Sequence, residues 1–359
     1  MLRSGLDGEW SDGWLQETQS DSAPGAIGLV LPTGKHYDYG VRSLDGAAFA
    51  QLEWQARPGT RLMSGLRAER QDYDYDNRMI NGATREDGTP CGLPGKPVPC
   101  RYSRPADRED GFTDWSWNAG VVQDIGAAHA LFVNLAHGFR PAQAAELYRL
   151  QAGQLAADIE SEQVDSLELG WRGEHGPLAW QLAAYTMDKD NVIYQDANRL
   201  NVSGARTRHR GVEYTVAWQI LEQLRLSADG TLARHTYESD DPLQGLPAGA
   251  GIKGNDMDTA PHSVASVRLE WEPDERTHAE LEWQHLGRYY LEPTTSFDYP
   301  GHDLLHLRVR RELTPDWSLT LRVTNLTDED YAERADYAFG DYRYFVGEPR
   351  SVFLEIAWR

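Results

Sequence analysis

The groups in this 359-residue sequence with the chemistry to ligate a metal or drive a reaction are 56 acids, 11 histidines and 2 cysteines. They form no catalytic set. No G-x-S-x-G nucleophile turn, phosphate-cradling glycine loop or H-E-x-x-H zinc helix occurs. Close carboxylate pairs are abundant, but a chain so rich in acids contains them by chance, so no enzymatic activity is expected. His129, His175 and His278 lie beside short turn sequences with no clustered partner. His285, His302 and His306 could approach one another across adjacent strands, yet solvated histidines explain them more simply. Neither a metal nor another cofactor is assigned.

Recognition chemistry is better represented. The segments DYDYDNRM (72–79) and RYYLEPTTSFDYPGH (288–302) concentrate tyrosine with aspartate and arginine. Tyr73, Tyr75, Tyr289 and Tyr290 combine apolar area with a hydrogen-bonding tip and little rotamer entropy to lose. Arg140 and Arg149 could grip an anion with two parallel N–H groups, or simply balance Glu146 and Asp158. An aromatic girdle with solvated acids is the alternative for the tyrosines.

The elements that must position these groups are strands. In 47–57, Ala48, Ala50, Leu52, Trp54 and Ala56 share one face, and Phe49, Gln51, Glu53, Gln55 and Arg57 the other. A period of two marks a strand with one apolar side. The same pattern runs through Leu167, Leu169 and Trp171, through Val212, Tyr214, Val216 and Trp218, and through Val352, Leu354, Ile356 and Trp358 up to Arg359. Short turn sequences at 57–60, 173–176, 219–223, 273–276 and 314–316 alternate with long polar connections near 19–43, 76–111, 139–162, 188–205, 238–259, 287–301 and 326–349. About fourteen strands fit this spacing, the first near 5–18.

Segregating short turns to one end and long loops to the other is what a transmembrane barrel does. The tryptophans agree: Trp54, Trp171, Trp180, Trp218, Trp271 and Trp317 lie near short turns, Trp358 lies near the C-terminus, and all seven fall on the apolar parity. An amphipathic indole prefers the membrane interface. No run approaches about 18 apolar residues, which excludes transmembrane helices. A net charge of −21 disfavours nucleic acid. The rival readings are a passive porin-like barrel or barrel fragment and a soluble β-rich carbohydrate-binding protein.

Several segments resemble TonB-dependent outer-membrane receptors, in that family's order. AHGFRPAQAAELYRLQAGQ (136–154) followed by SEQVDSLELGWRG (161–173) is similar to its mid-barrel pattern, and TRHRGVEYTVAW (207–218) to its Gly-Val-Glu strand. VTNLTDEDYAER (323–334) and GEPRSVFLEIAWR (347–359) resemble its C-terminal segments. Positions 141–160 hold no histidine, a departure from haem-type members.

The resemblance implies an all-β, antiparallel transmembrane barrel of the bacterial outer membrane. Residues 1–359 would supply about the last fourteen strands of a 22-strand barrel without the N-terminal plug. MLRSGLDGEW has no apolar signal core, in keeping with a chain that starts inside something longer. The implied role is uptake of a scarce nutrient, by default a ferric siderophore, energised by the TonB complex acting through the plug. Outer-membrane lipid and the barrel-assembly machinery, engaging the last strand, are the other implied partners. The tyrosine-rich loops would cap the lumen and meet the nutrient. Cys91 and Cys100, which bracket CGLPGKPVPC in one such loop, would then face an oxidising medium and pair, rather than stand as two unrelated thiols.

Overall fold

The computed structural model describes residues 1–358 except 22, 26, 197, 198, 244, 245, 247, 248 and 339, and Arg359 lies outside the described residues. Its main body is one sheet of fourteen strands, each paired antiparallel with its neighbours in sequence order. They are β1 (Leu2–Gln19), β2 (Gly34–Arg57), β3 (Thr60–Asn77), β4 (Arg108–Ile125), β5 (His129–Arg140), β6 (Glu162–His175), β7 (Leu178–Gln195), β8 (Asn201–Leu221), β9 (Leu224–Tyr237), β10 (Ser263–Asp274), β11 (Thr277–Leu286), β12 (His302–Thr314), β13 (Trp317–Thr324) and β14 (Ser351–Trp358).

Residues directly opposite in an antiparallel ladder project to the same side. The registers therefore join the separate apolar stripes into one face. Leu2 opposes Leu52, Trp54 opposes Leu62, and Leu62 opposes Val121. Leu135 opposes Leu167, Trp171 opposes Leu182, and Val212 opposes Leu232. Leu269 opposes Leu281, Val309 opposes Leu321, and Leu321 opposes Leu354. Trp54 is 55% and Leu169 50% exposed on this face, a pattern that suits hydrocarbon rather than water. Toward the long connections the same parity turns charged, with Arg42, Arg70, Asp188, Arg210, Arg234 and Asp303 closing the apolar band.

The opposite face is polar and laced with ion pairs. Arg67 holds Asp7 at 2.5 Å and Glu69 at 2.7 Å, and Arg268 holds Asp229 at 3.1 Å. Glycines on this face make room for aromatic rings. Phe132 lies over Gly170, its register partner, where a Cβ would stand 1.9 Å from the ring, and Tyr185 covers Gly211 in the same way at 2.7 Å. Such pairs pin register while sparing the strand an empty position.

Six tight turns join alternate strands. Five match the short turn sequences, and the sixth, at 126–128, carries Gly126 at φ +67°. Several strands run well beyond the boundaries expected from sequence. The stretch 188–205 is mostly ladder, with Lys189 opposite Thr207 and Tyr194 opposite Val202. β2 likewise begins at Gly34 rather than near 44, and the opening strand covers Leu2–Gln19 rather than 5–18. Past the apolar band no outward apolar stripe marks the strands, although the backbone ladder continues. The connection after β13 is not all loop either, since Ala332–Ala338 pairs with Asp341–Val346.

Candidate functional site

At the long-connection end, β2 and β3 carry alternating tyrosines on the polar parity: Tyr37 and Tyr39, then Tyr73 and Tyr75. The connection 141–161 folds down onto them. Its short helix, Ala144–Tyr148, starts with a reciprocal pair of cap hydrogen bonds in which the Glu146 carboxylate accepts from the Gln143 backbone N–H at 2.7 Å. This turn points Leu147 and Tyr148 inward, both fully buried. Tyr148 stacks on Tyr75 with ring centroids 4.3 Å apart and donates to Asp110 at 2.8 Å. Tyr37 donates to the Leu150 carbonyl at 2.7 Å, and Tyr102–Ser103 pairs with Leu150–Gln151.

The loop 78–107 covers the same cluster. Cys91 and Cys100 are joined by a disulfide, with Cα atoms 5.0 Å apart, and both are buried in it. Arg104, fully buried, donates to the carbonyls of Ile80, His36 and Thr84. Backbone carbonyls thus take up its charge without a carboxylate.

The six ligand-contact candidates fall into two groups. Tyr73, Tyr75, Arg140 and Arg149 gather around the first aromatic cluster. Tyr75 is only 1% exposed, so its ring is a packing element. Arg140 is clamped by Glu162 at 2.8 Å and Glu146 at 3.0 Å, and the Glu162 hydrogen bond holds its guanidinium pKa above the ordinary value. Arg149 meets Glu17 at 2.5 Å and lies 5.9 Å over the Tyr37 ring. Tyr289 belongs to a second cluster with Leu291, Tyr299, Ala332 and Ala335, and Tyr290 is its neighbour in the short strand pair 289–290 with 298–299. There the Tyr289 hydroxyl accepts from the Ala335 backbone at 2.9 Å, while Tyr290 is half-buried beneath Arg288.

A cavity of about 580 Å³ opens beside the first cluster, lined among others by Glu17, His36, Tyr37, Arg101, Arg149 and Arg199. Sequence reasoning missed Tyr37, Tyr39, Arg101 and Arg199. The tyrosines had a visible signal, because HYDYG (36–40) repeats the alternation of DYDYD (72–76). The arginines had none, lying in loops whose closure is tertiary.

The histidines thought able to converge do not. His285 pairs with Asp303 at 2.8 Å, His302 with the Tyr299 hydroxyl at 2.9 Å, and His306 accepts from the Asn325 backbone at 3.2 Å. His278, read as unclustered, instead stands with Glu270 and Glu280, ligand atoms within 4.8 Å of one another. The ladder explains this, since Glu270 opposes Glu280 and His278 lies two residues further along the same side.

The seven tryptophans expected at the membrane interface lie on the apolar parity. Trp317 directly opposes Trp358, and Trp218 and Trp271 flank neighbouring turns. Trp180 is the more covered one, folded against Trp171 with centroids 5.2 Å apart and against His129 at 5.5 Å.

A family model described as TonB dependent receptor-like, beta-barrel matches residues 2–326. The chain belongs to that family. Its sheet is accordingly the wall of an outer-membrane barrel, the apolar face against lipid and the polar face toward the lumen. Short turns are periplasmic in such barrels and long loops extracellular. Similar solved structures include the ferric yersiniabactin uptake receptor FyuA from Yersinia pestis, at TM-score 0.75 and 16% identity over 99% of this chain and 51% of that one. The ferric-catecholate import receptor Fiu from E. coli K12, in its closed form, gives 0.72 and 16% over 99% and 51%. The copper transporter OprC gives 0.73 and 17% over 99% and 55%. This TonB-dependent receptor barrel thus spans about half the length of the solved structures it matches.

Proposed function

We propose that this barrel domain serves TonB-energised uptake of a ferric siderophore, with the cavity at its extracellular mouth contacting the cargo. One observation carries the reading: a cavity of about 580 Å³ brings Arg101, Arg149 and Arg199 beside Tyr37 and Tyr102. That volume lies in the range of small-molecule sites, roughly 300–1,000 Å³. Guanidinium forks and phenols suit an oxygen-rich anionic chelate. Two of the similar structures are named for ferric chelates. Among the six first candidates, Arg149 lines the cavity, and Tyr73, Tyr75 and Arg140 support the wall that frames it. Tyr290, half-buried beneath Arg288, would offer a second contact surface, with the buried Tyr289 packed behind it. In this reading the TonB complex transmits force through a plug segment, and the barrel-assembly machinery engages β14.

The test is binding and uptake by a receptor in which this barrel is joined to a plug. Ferric siderophores of the catecholate, hydroxamate and carboxylate classes would be presented to cells with and without TonB. Uptake of one class that needs TonB and falls on Arg101→Ala plus Arg149→Ala supports the proposal. TonB-independent flux of small solutes would instead mark a passive pore.

A further inference from the structure

We propose that His209 and His235 form a binding site for an imidazole-preferring divalent transition-metal ion, Cu²⁺ or Zn²⁺, on the lumen wall. The two residues are register partners on β8 and β9. They share the polar parity of Glu213 and Thr231 and stand at the level where the outward parity changes from Val212 to Arg210. Their Nδ1 atoms face each other at 2.8 Å, with ring centroids 5.0 Å apart. A bond between two neutral imidazoles uses one proton, donated by one ring to the lone pair of the other. When the donating ring takes its Nε2–H tautomer instead, both Nδ1 lone pairs are free to bind one metal ion.

The surroundings favour that arrangement. Nε2 of His209 lies 3.0 Å from the Thr207 hydroxyl. With the proton on Nε2 donated to Thr207, Nδ1 of His209 is left as a lone pair aimed at His235, the outer hydrogen bond that orients a metal-bound histidine. Metal–nitrogen bonds of about 2.0–2.1 Å would require the rings to part by only a few tenths of an ångström. Nearby charges act in both directions: Asp188, already paired with Arg208, and Asp256, already paired with Arg234, attract a cation, while Lys189 opposes one. A third imidazole is near: the His262 backbone opposes Ala233, and its Nε2 lies 3.2 Å from Asp256. Both rings of the pair are only half-buried, leaving coordination positions for water or for donor atoms of an arriving ligand.

The test titrates the detergent-folded chain, carrying no polyhistidine tag, with Cu²⁺ by calorimetry and electron paramagnetic resonance. One equivalent with hyperfine structure from two nitrogens is expected. His209→Ala and His235→Ala should each weaken it by about tenfold or more, as loss of a primary ligand should cost at least what loss of an outer-shell partner does. His175→Ala, on an exposed turn, should leave it unchanged. Folding of each variant is checked by heat-modifiable gel migration, and His209→Gln serves if the alanine variant does not fold. Absence of stoichiometric binding by the parent chain, or unchanged affinity in folded variants, would overturn the proposal. It stands apart from the siderophore reading, since binding of the bare ion is measured.

Discussion

Tyr148 lies flat on Tyr75, rings 4.3 Å apart and only 20° from parallel, and this stacked pair helps key a surface loop into the wall of the barrel. The Tyr148 hydroxyl is held in turn by Asp110 of β4. Loop 141–161 is therefore a fixed part of the mouth. Tyr148→Ala should lower the free energy of opening that loop by about 3–5 kcal/mol, the usual cost of emptying a buried aromatic position. Hydrogen exchange would show faster exchange confined to 141–161. Equal acceleration in β3 and β4 would show that the pair supports the wall itself.

The same loop should respond to acid. Burial raises the Glu162 pKa, but the Arg140 hydrogen bond and the Ile193 backbone N–H outweigh it and leave the group below its ordinary 4.5. A carboxylate depressed on folding contributes stability above its unfolded pKa and loses it as pH falls through the folded value. Protection of 141–161 should thus hold at neutral pH and decline below about pH 4.5. Glu162→Gln should flatten that dependence in exchange measurements, and an unchanged acid profile would assign it to other groups.

Lipid-facing and lumen-facing positions should differ sharply in tolerance. Leu169→Arg or Val216→Arg should impair assembly in liposomes by about 2–4 kcal/mol near the midplane. Glu168 and Glu213, on the same strands, point to the opposite side and should accept Gln with little change. Equal sensitivity at both parities would invert the assignment of faces.

Reduction of Cys91–Cys100 should loosen 78–107 without unfolding the barrel. Closing a loop this short stabilises by about 2–3 kcal/mol through the unfolded chain. Mass spectrometry of unreduced protein from isolated outer membrane should find no alkylatable thiol. Cys91→Ser plus Cys100→Ser should make 78–107 sensitive to protease while heat-modifiable migration persists.

The strands, the separation of short turns from long loops and the lipid-facing parity follow from sequence alone, because each rests on nearest neighbours. Leu52 and Trp54 share a face whatever lies beside them, and Pro58-Gly59 turns the chain wherever it stands. The same logic fails beyond the apolar band, where Tyr194 and Val202 remain paired although no outward apolar stripe marks the strands. Only the tertiary structure decides the mouth. Arg149 reaches Glu17 across 132 residues and Tyr37 reaches the Leu150 carbonyl across 113, and no local period encodes such distances. His209 and His235 meet for the same reason. Their 26-residue separation becomes 2.8 Å between nitrogens only once the β8–β9 register is set, and that register follows from burying Val212 and Leu232 on the same lipid-facing side.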